Sequence, residues 1–312
     1  MKIVFLDQAT MGDDISFSQF EELGDYTGWP LTSPEEIADR ISDAEVVIVN
    51  KVVLGKREID SAPRLRLICV AATGTNNIDS DYAASKGIPV KNVKGYSTES
   101  VTQITFAQIL ALLNHIPYFD NYVKSGEYSR GKMYSNLQRQ FSELSAMKFG
   151  IIGMGDIGRN VARIASAFGA EVQYYSTSGT AHCKDYPMVT FEELLNTSDI
   201  ISIHSPLNEK TKNLITMREM KLMKSSALIV NLGRGGIVNE RDLATAVDNG
   251  IIAGAAIDVF EKEPLPADHP FLLMNNPDRL LLTPHVGWAS VQARTRLAGM
   301  IVGNIKSIIQ SI

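Results

Sequence analysis

Short, nearly continuous apolar runs recur along the chain. Ile3–Leu6, Val46–Val49 and Leu67–Val70 come first, and Phe149–Ile152, Glu171–Tyr175 and Ile200–Ile203 follow. Ala227–Leu232, Ile252–Ile257 and Leu280–Thr283 close the series. The runs are rich in β-branched residues and do not alternate with polar ones. Strands of a parallel sheet read this way, because helices cover both of its faces. Helical patterns lie between them. Pro34–Ile41 follows Ser33, with Ser33 and Glu36 in capping-box spacing. Asp156–Phe168 carries apolar residues at helical spacing, Thr190 precedes a helix through Leu195, and Asn239 precedes Glu240–Asp248, with Gly250 as its end.

Alternating strands and helices predict open α/β layers. One set of units runs from Met1 to about Val93 and a second begins at Phe149. Between them, Glu99–Phe119 reads as one long apolar helix. The polar stretch Asn121–Ser142 reads as a surface arm or oligomer contact. Ser290–Ile312 reads as a terminal helix that packs back on the first set.

Composition narrows the function classes. The 312 residues are 45% apolar and 21% charged, with 30 Lys and Arg against 35 Asp and Glu. That is globular chemistry, long enough for two domains. A net charge of −5 without a basic, aromatic-laced run argues against nucleic acid as the main partner. No apolar stretch is long enough for a membrane span, and the first apolar run is too short for a secretory leader. With only Cys69 and Cys183, a reduced cytoplasmic setting is expected.

The sharpest local pattern is Gly153-Met-Gly155-Asp156-Ile157-Gly158, preceded by a strand and followed by a helix. Gly153 allows a tight turn, Gly155 lets the backbone approach a pyrophosphate, and Gly158 lets helix and strand pack closely. The helix N-terminus offers unpaired N–H groups to phosphates. The next strand ends in Tyr175-Ser176-Thr177-Ser178-Gly179, without the acidic residue that binds ribose hydroxyls. No arginine stands there either, although Lys184 or His182 could reach a 2′-phosphate. The expectation is NAD or NADP, with NAD preferred.

Three polar residues follow apolar runs: Arg234, Glu263 and His285. Loops after parallel strands gather at the carboxyl edge, where ligands bind. Imidazole titrates near neutral pH and suits proton transfer to and from a secondary alcohol. A glutamate on the other ring nitrogen would fix the tautomer, and an arginine fork would hold a substrate carboxylate. Each also has a plainer reading as a loop, phosphate-gripping or turn residue. Asp258, among apolar neighbours, is costly unless paired. The histidines are scattered and give no metal-ligand spacing, so no metal is expected.

Taken together, these motifs resemble the D-isomer-specific 2-hydroxyacid dehydrogenase family over nearly the full chain. The resemblance rests on Gly153–Gly158, His204-Ser-Pro206-Leu, Asn231-Leu-Gly233-Arg234-Gly-Gly236, Ala256-Ile-Asp258 through Glu263-Pro264, and Thr283-Pro-His285. It implies two Rossmann-like open parallel-sheet domains, with the nucleotide domain, 99–287, inserted into a substrate domain made of 1–98 and 288–312. It implies a catalytic set of His285, Glu263 and Arg234. Cofactor contacts would fall on Thr102, Gly153, Gly155, Asp156, Ile157, Gly158, Ser176, Thr177, His204, Pro206, Gly233, Asp258 and Gly287. Substrate contacts would fall on Thr73, Gly74, Asn76, Arg234 and Trp288. The expected reaction is NAD(P)-dependent reduction of a small 2-oxo acid to the D-2-hydroxy acid in a homodimer. Gln103 and His285-Val-Gly-Trp288 resemble the glycerate dehydrogenase or hydroxypyruvate reductase branch, so hydroxypyruvate and glyoxylate lead. D-Lactate or other 2-ketoacid reduction is one alternative, and a nicotinamide-sensing, corepressor-like binding module is another.

Overall fold

The structure is a computed structural model that describes residues 1–309. The chain divides into two compact units, Met1–Ser97 with Trp288–Ile312, and Thr98–Gly287. The first unit holds β1 (Lys2–Phe5), β2 (Asp25–Gly28), β3 (Val46–Val49), β4 (Leu67–Val70) and β5 (Val90–Lys91), in the order β2-β1-β3-β4-β5. The second holds β6 (Lys148–Ile152), β7 (Glu171–Tyr175), β8 (Ile200–Ile203), β9 (Leu228–Asn231), β10 (Gly254–Ile257) and β11 (Leu280–Leu282), in the order β11-β10-β9-β8-β6-β7. Every pairing in both sheets is parallel. Each unit is thus a Rossmann-like α/β layer, and the second is inserted in the first.

All nine apolar runs contain strands. Two edge strands, β2 and β5, lay outside them. Asp25-Tyr-Thr-Gly28 has no apolar run, and its backbone is drawn into the sheet by register with Lys2–Phe5. Edge strands have one free side and need less apolar surface, so the pattern that marks central strands is absent.

Burial follows the pattern. Val46–Val49 and Leu67–Val70 are fully buried, with side chains facing both sides of the first sheet. Each Val, Leu or Ile among them contributes about 1.5–3 kcal/mol by leaving water. The terminal helix, Val291–Ile309, buries Ala293, Leu297, Ile301 and Ile305 against Ile3, Phe5 and Leu67 of this unit. In the second unit, one apolar layer gathers around Ile201, Ile229 and Ile257, and the other around Phe149, Val161 and Val230.

Helix ends behave as expected at Thr190 and Asn239. Their side-chain oxygens accept N–H bonds from Glu193 and Asp242 at 3.1 and 3.0 Å. At Ser33 only one half of the capping box forms: the Glu36 carboxylate accepts the Ser33 N–H at 2.9 Å, and the helix begins at Ile37. The long helix expected over Glu99–Phe119 is two helices, Thr98–Leu113 and Ile116–Lys124. Pro117 explains the break. It has no N–H to donate, and its ring would clash with the Leu113 carbonyl one turn back. The chain turns through His115 at φ +51. The polar arm continues as a short helix, Glu127–Arg130. Its next segment folds back on Tyr118, whose hydroxyl bonds Gln138 at 3.0 Å.

Candidate active site

In open parallel sheets, ligands bind at the carboxyl edge where the strand order reverses. Each sheet has one such point, between β1 and β3 in the first and between β6 and β8 in the second. In the first sheet Asp7 fills it. Its carboxylate accepts the N–H groups of Asn50, Lys51 and Val52 at 2.8, 2.5 and 3.1 Å. Those amides form an anion nest already occupied by the protein's own carboxylate.

The second switch point is open. Gly153, at φ +95, presses against the end of β8, where a β-carbon would come within 2.9 Å of the His204 carbonyl. Gly155 faces open space, and the helix Asp156–Ala167 starts directly after it. A cavity of about 660 Å³ lies here. Gly153, Gly155, Ser176, Thr177, His204 and Pro206 line it, all residues expected from the sequence. His204 Nδ1 and Ser205 Oγ are buried and have no hydrogen-bond partner among the described residues. Burial also pushes the His204 imidazole down to about 3, so it is neutral at physiological pH. Unpaired polar atoms, an open glycine turn and a helix N-terminus fit a dinucleotide.

Other expected cofactor residues lie elsewhere. Thr102 is buried, and its hydroxyl is engaged by the Thr98 carbonyl and Asn160, at 2.8 and 3.0 Å. Asp156 pairs with Arg159. Ile157 packs in the apolar layer, and Gly158 lies under the Gly153 carbonyl. Gly233 rests against the carbonyls of Ile203 and Ser205 at the end of β8. Sequence reasoning missed Arg159, Ser178 and the Asn208–Lys210 loop as pocket lining, and gave His182 only as a candidate. Lys184, the other candidate cation, does not line the pocket. The loop is shaped by Thr211, whose hydroxyl ties the Pro206 carbonyl to the Asn208 N–H.

Three adjacent strands deliver the polar residues. Asn231, Ile257 and Leu282 are register partners at the ends of β9, β10 and β11. Arg234, Glu263 and His285 therefore leave the sheet from one edge. His285 Nδ1 lies 2.8 Å from Glu263 Oε2, while Glu263 Oε1 accepts the Phe260 N–H at 3.0 Å. A carboxylate only accepts, so Nδ1 carries a proton and Nε2 remains for chemistry. The Arg234 turn is set by Asn231, which bonds the Gly233 N–H and the Arg234 carbonyl at 3.0 and 2.9 Å. Gly235 lets this turn lie on the Glu263 loop, because a β-carbon there would fall 2.0 Å from the Phe260 carbonyl. No carboxylate pairs with Arg234 among the described residues.

Asp258 is 2% exposed and fully engaged. Its carboxylate accepts the Thr283 hydroxyl at 2.5 Å and the N–H groups of Val286 and Gly287 at 2.9 and 2.8 Å. A second glutamate–histidine pair, unread in the sequence, supports the Glu263 loop. Glu240 bonds the Glu261 N–H at 2.7 Å and His269 Nε2 at 2.8 Å.

In the first unit, Thr73 is anchored through its hydroxyl to the Val93 carbonyl at 3.0 Å. Gly74 and the exposed Asn76 follow in the same turn. The residue that braces this turn is Asn77, whose amide bonds the Val52 carbonyl at 2.8 Å. Trp288 packs edge-on against Tyr96, at 6.3 Å between ring centroids, beside the apolar core of its own unit.

Residues 106–287 match the family described as D-isomer specific 2-hydroxyacid dehydrogenase, NAD binding domain. The chain belongs to that family. It is similar to a glycerate dehydrogenase of Methylorubrum extorquens, 34% identical, with 99% of this chain and 96% of the relative covered. Among solved structures it resembles an acyclic imino acid reductase in complex with NADPH and D-Arg (28% identity, TM-score 0.88, covering 100% and 98%). It also resembles the D-lactate dehydrogenase of Aquifex aeolicus complexed with NAD and lactic acid (26% identity, TM-score 0.86, covering 99% and 96%).

This D-2-hydroxyacid dehydrogenase therefore carries the family's NAD(P)-dependent reduction of a small 2-oxo acid to a D-2-hydroxy acid. Among the described residues, no helix is long and apolar enough to cross a membrane.

Proposed function

We propose that the chain reduces hydroxypyruvate or glyoxylate, with His285, Glu263 and Arg234 as the catalytic set. The carrying observation is the 2.8 Å contact between His285 Nδ1 and Glu263, one strand away from an arginine with no carboxylate partner among the described residues. The reduced nicotinamide supplies the hydride. His285 Nε2 donates the proton to the carbonyl oxygen, and Glu263 stabilises the imidazolium that gives it. Arg234 holds the oxo-acid carboxylate and polarises the neighbouring carbonyl. In the first unit, the Thr73–Gly74 turn with Asn76 is assigned to substrate, and Trp288 to the wall of a small pocket. Hydroxypyruvate leads because a glycerate dehydrogenase and a hydroxypyruvate reductase are among the relatives similar over 99% of the chain. A site built for its 3-hydroxyl would discriminate strongly against pyruvate.

The sequence favours NAD, and the cavity lining shifts the choice towards NADPH. No carboxylate stands at the end of β7. Ser178 bridges Ser176 Oγ and His182 Nε2 at 3.0 and 2.8 Å, and Arg159 and Lys210 complete a cationic, hydroxyl-rich wall with one acid, Glu209. Such a wall suits a 2′-phosphate.

The arm also supports a homodimer. Tyr134 and Leu137 are 97% and 80% exposed, and Met133 and Phe141 are exposed beside them. A second copy of the chain would remove this apolar surface from water. Sedimentation of the wild type and of Tyr134→Ser/Leu137→Ser tests this reading, and a monomeric wild type would end it.

Initial rates with NADH and NADPH against hydroxypyruvate, glyoxylate, pyruvate and phosphohydroxypyruvate test the substrate proposal. Hydroxypyruvate or glyoxylate far ahead supports it, and pyruvate ahead favours a D-lactate enzyme. Cofactor binding without turnover would favour a sensing module.

A further inference from the structure

We propose that Gln108 and Thr283 are positioning residues that act through Asp258 to hold His285 in its working conformation. The inference rests on the reading of His285 as acid and base. Gln108 is 2% exposed in the helix Thr98–Leu113, on the face that also buries Val101, Thr105 and Ile109. A primary amide in such a place is costly unless it is bonded. Its Nε2 lies 2.7 Å from Thr283 Oγ1, and Thr283 Oγ1 lies 2.5 Å from Asp258 Oδ1. Proton direction follows from chemistry. The carboxylate can only accept, so the threonine hydroxyl donates to it and must accept from Gln108. The Gln108 Oε1 is then left buried with no partner among the described residues. Local packing does not account for this arrangement, since a leucine would fill the same apolar site without leaving an unpaired oxygen.

The chain of bonds ends at the histidine. Asp258 accepts from Thr283 on one side of His285 and from Val286 and Gly287 on the other. Its backbone carbonyl also accepts the His285 N–H at 2.8 Å. His285 stands at φ +54, a conformation that side chains with a β-carbon rarely adopt and that persists only when its surroundings over-determine it. Asp258 is the clamp that does so. Gln108 fixes the threonine hydroxyl in the rotamer that serves the clamp. Glu263 orients the imidazole ring, whereas this relay orients the backbone that carries it. A shift of about 1 Å in a reacting group costs on the order of 100-fold in rate.

The test uses Gln108→Leu, Thr283→Val, their double variant, Thr283→Ser, and His285→Asn in the full chain. Gln108→Leu and Thr283→Val are expected to lower kcat by about 10- to 100-fold. Cofactor Kd, read by fluorescence quenching, should stay within about twofold. Thr283→Ser restores the hydroxyl and should recover most of kcat. The double variant should be no worse than Thr283→Val, because the two residues act in one relay. The His285 ring N–H resonance should be sharp in the wild type and Thr283→Ser, and exchange-broadened in Thr283→Val. Unfolding temperatures identify any loss due to misfolding, and Thr283→Ser then carries the comparison. Wild-type turnover in Thr283→Val, or multiplied losses in the double variant, would overturn the relay if His285→Asn is inactive. An active His285→Asn would instead overturn the parent reading of the histidine.

Discussion

His285 presents Nε2 because its Nδ1 is held 2.8 Å from Glu263 Oε2. Exchange of that ring for a group that cannot carry a proton should remove the chemistry and spare the cofactor site. His285→Asn is expected to lower kcat by about 10²–10⁴-fold with cofactor Kd unchanged. Steady-state rates and a fluorescence titration check this. Near-normal turnover would end the assignment.

Arg234 has no carboxylate partner among the described residues, so its guanidinium is available to a substrate anion. A lysine keeps the charge but loses the planar fork. Arg234→Lys should lower kcat/KM for the oxo acid by about 10-fold or more, mainly through KM, with cofactor affinity retained. An unchanged KM would remove the residue from substrate recognition.

The cavity at the end of β7 is lined by hydroxyls and cations together with one acid, Glu209. Ser176→Asp would place a carboxylate where it can bond ribose hydroxyls and repel a 2′-phosphate. The variant should lose affinity for 2′,5′-ADP and gain relative affinity for 5′-AMP. Calorimetry with these two fragments reads the effect without turnover, and equal affinities in both proteins would refute the proposed lining.

Gly235 permits the Arg234 turn to lie on the Glu263 loop, with no room for a β-carbon. In Gly235→Ala the two loops must separate. We expect about 1–3 kcal/mol of destabilisation from overpacking, together with a loss of turnover. Urea unfolding and rates measure both, and wild-type values of either would show that the loops tolerate separation.

His204 gives a pH dependence. Burial lowers its pKa to about 3 from an ordinary 6.5, so the unfolded chain binds the extra proton between those values. Its contribution to stability is complete above about pH 6.5 and is lost as pH falls towards about 3, by at most about 1.4 kcal/mol per pH unit. Urea midpoints of the apo-protein between pH 7 and 4 should fall more steeply for the wild type than for His204→Gln. Parallel slopes would contradict it.

The sequence by itself determined most of the elements and pointed to the candidate chemistry. Nine β-branched runs became strands because burial on both faces leaves a local mark that needs no partner to read. The glycine turn of Gly153–Gly158 was legible because its spacing between a strand and a helix is a pattern within one short segment. Arg234, Glu263 and His285 were legible as candidates because each lies in the loop after a parallel strand, and the family resemblance joined them into one set. Tertiary structure decided the rest. The contact that closes the first sheet's switch point, Asp7 to the Asn50 amide, spans 43 residues of sequence. The Gln108–Thr283 contact spans 175. Neither residue differs locally from an ordinary buried polar side chain. The single-helix reading of Glu99–Phe119 followed apolar content past Pro117, where the backbone could not continue. Periodicity records which face of an element is buried. Which polar groups meet there depends on packing between elements distant in the chain, and that arrangement exists only once the sheets have formed.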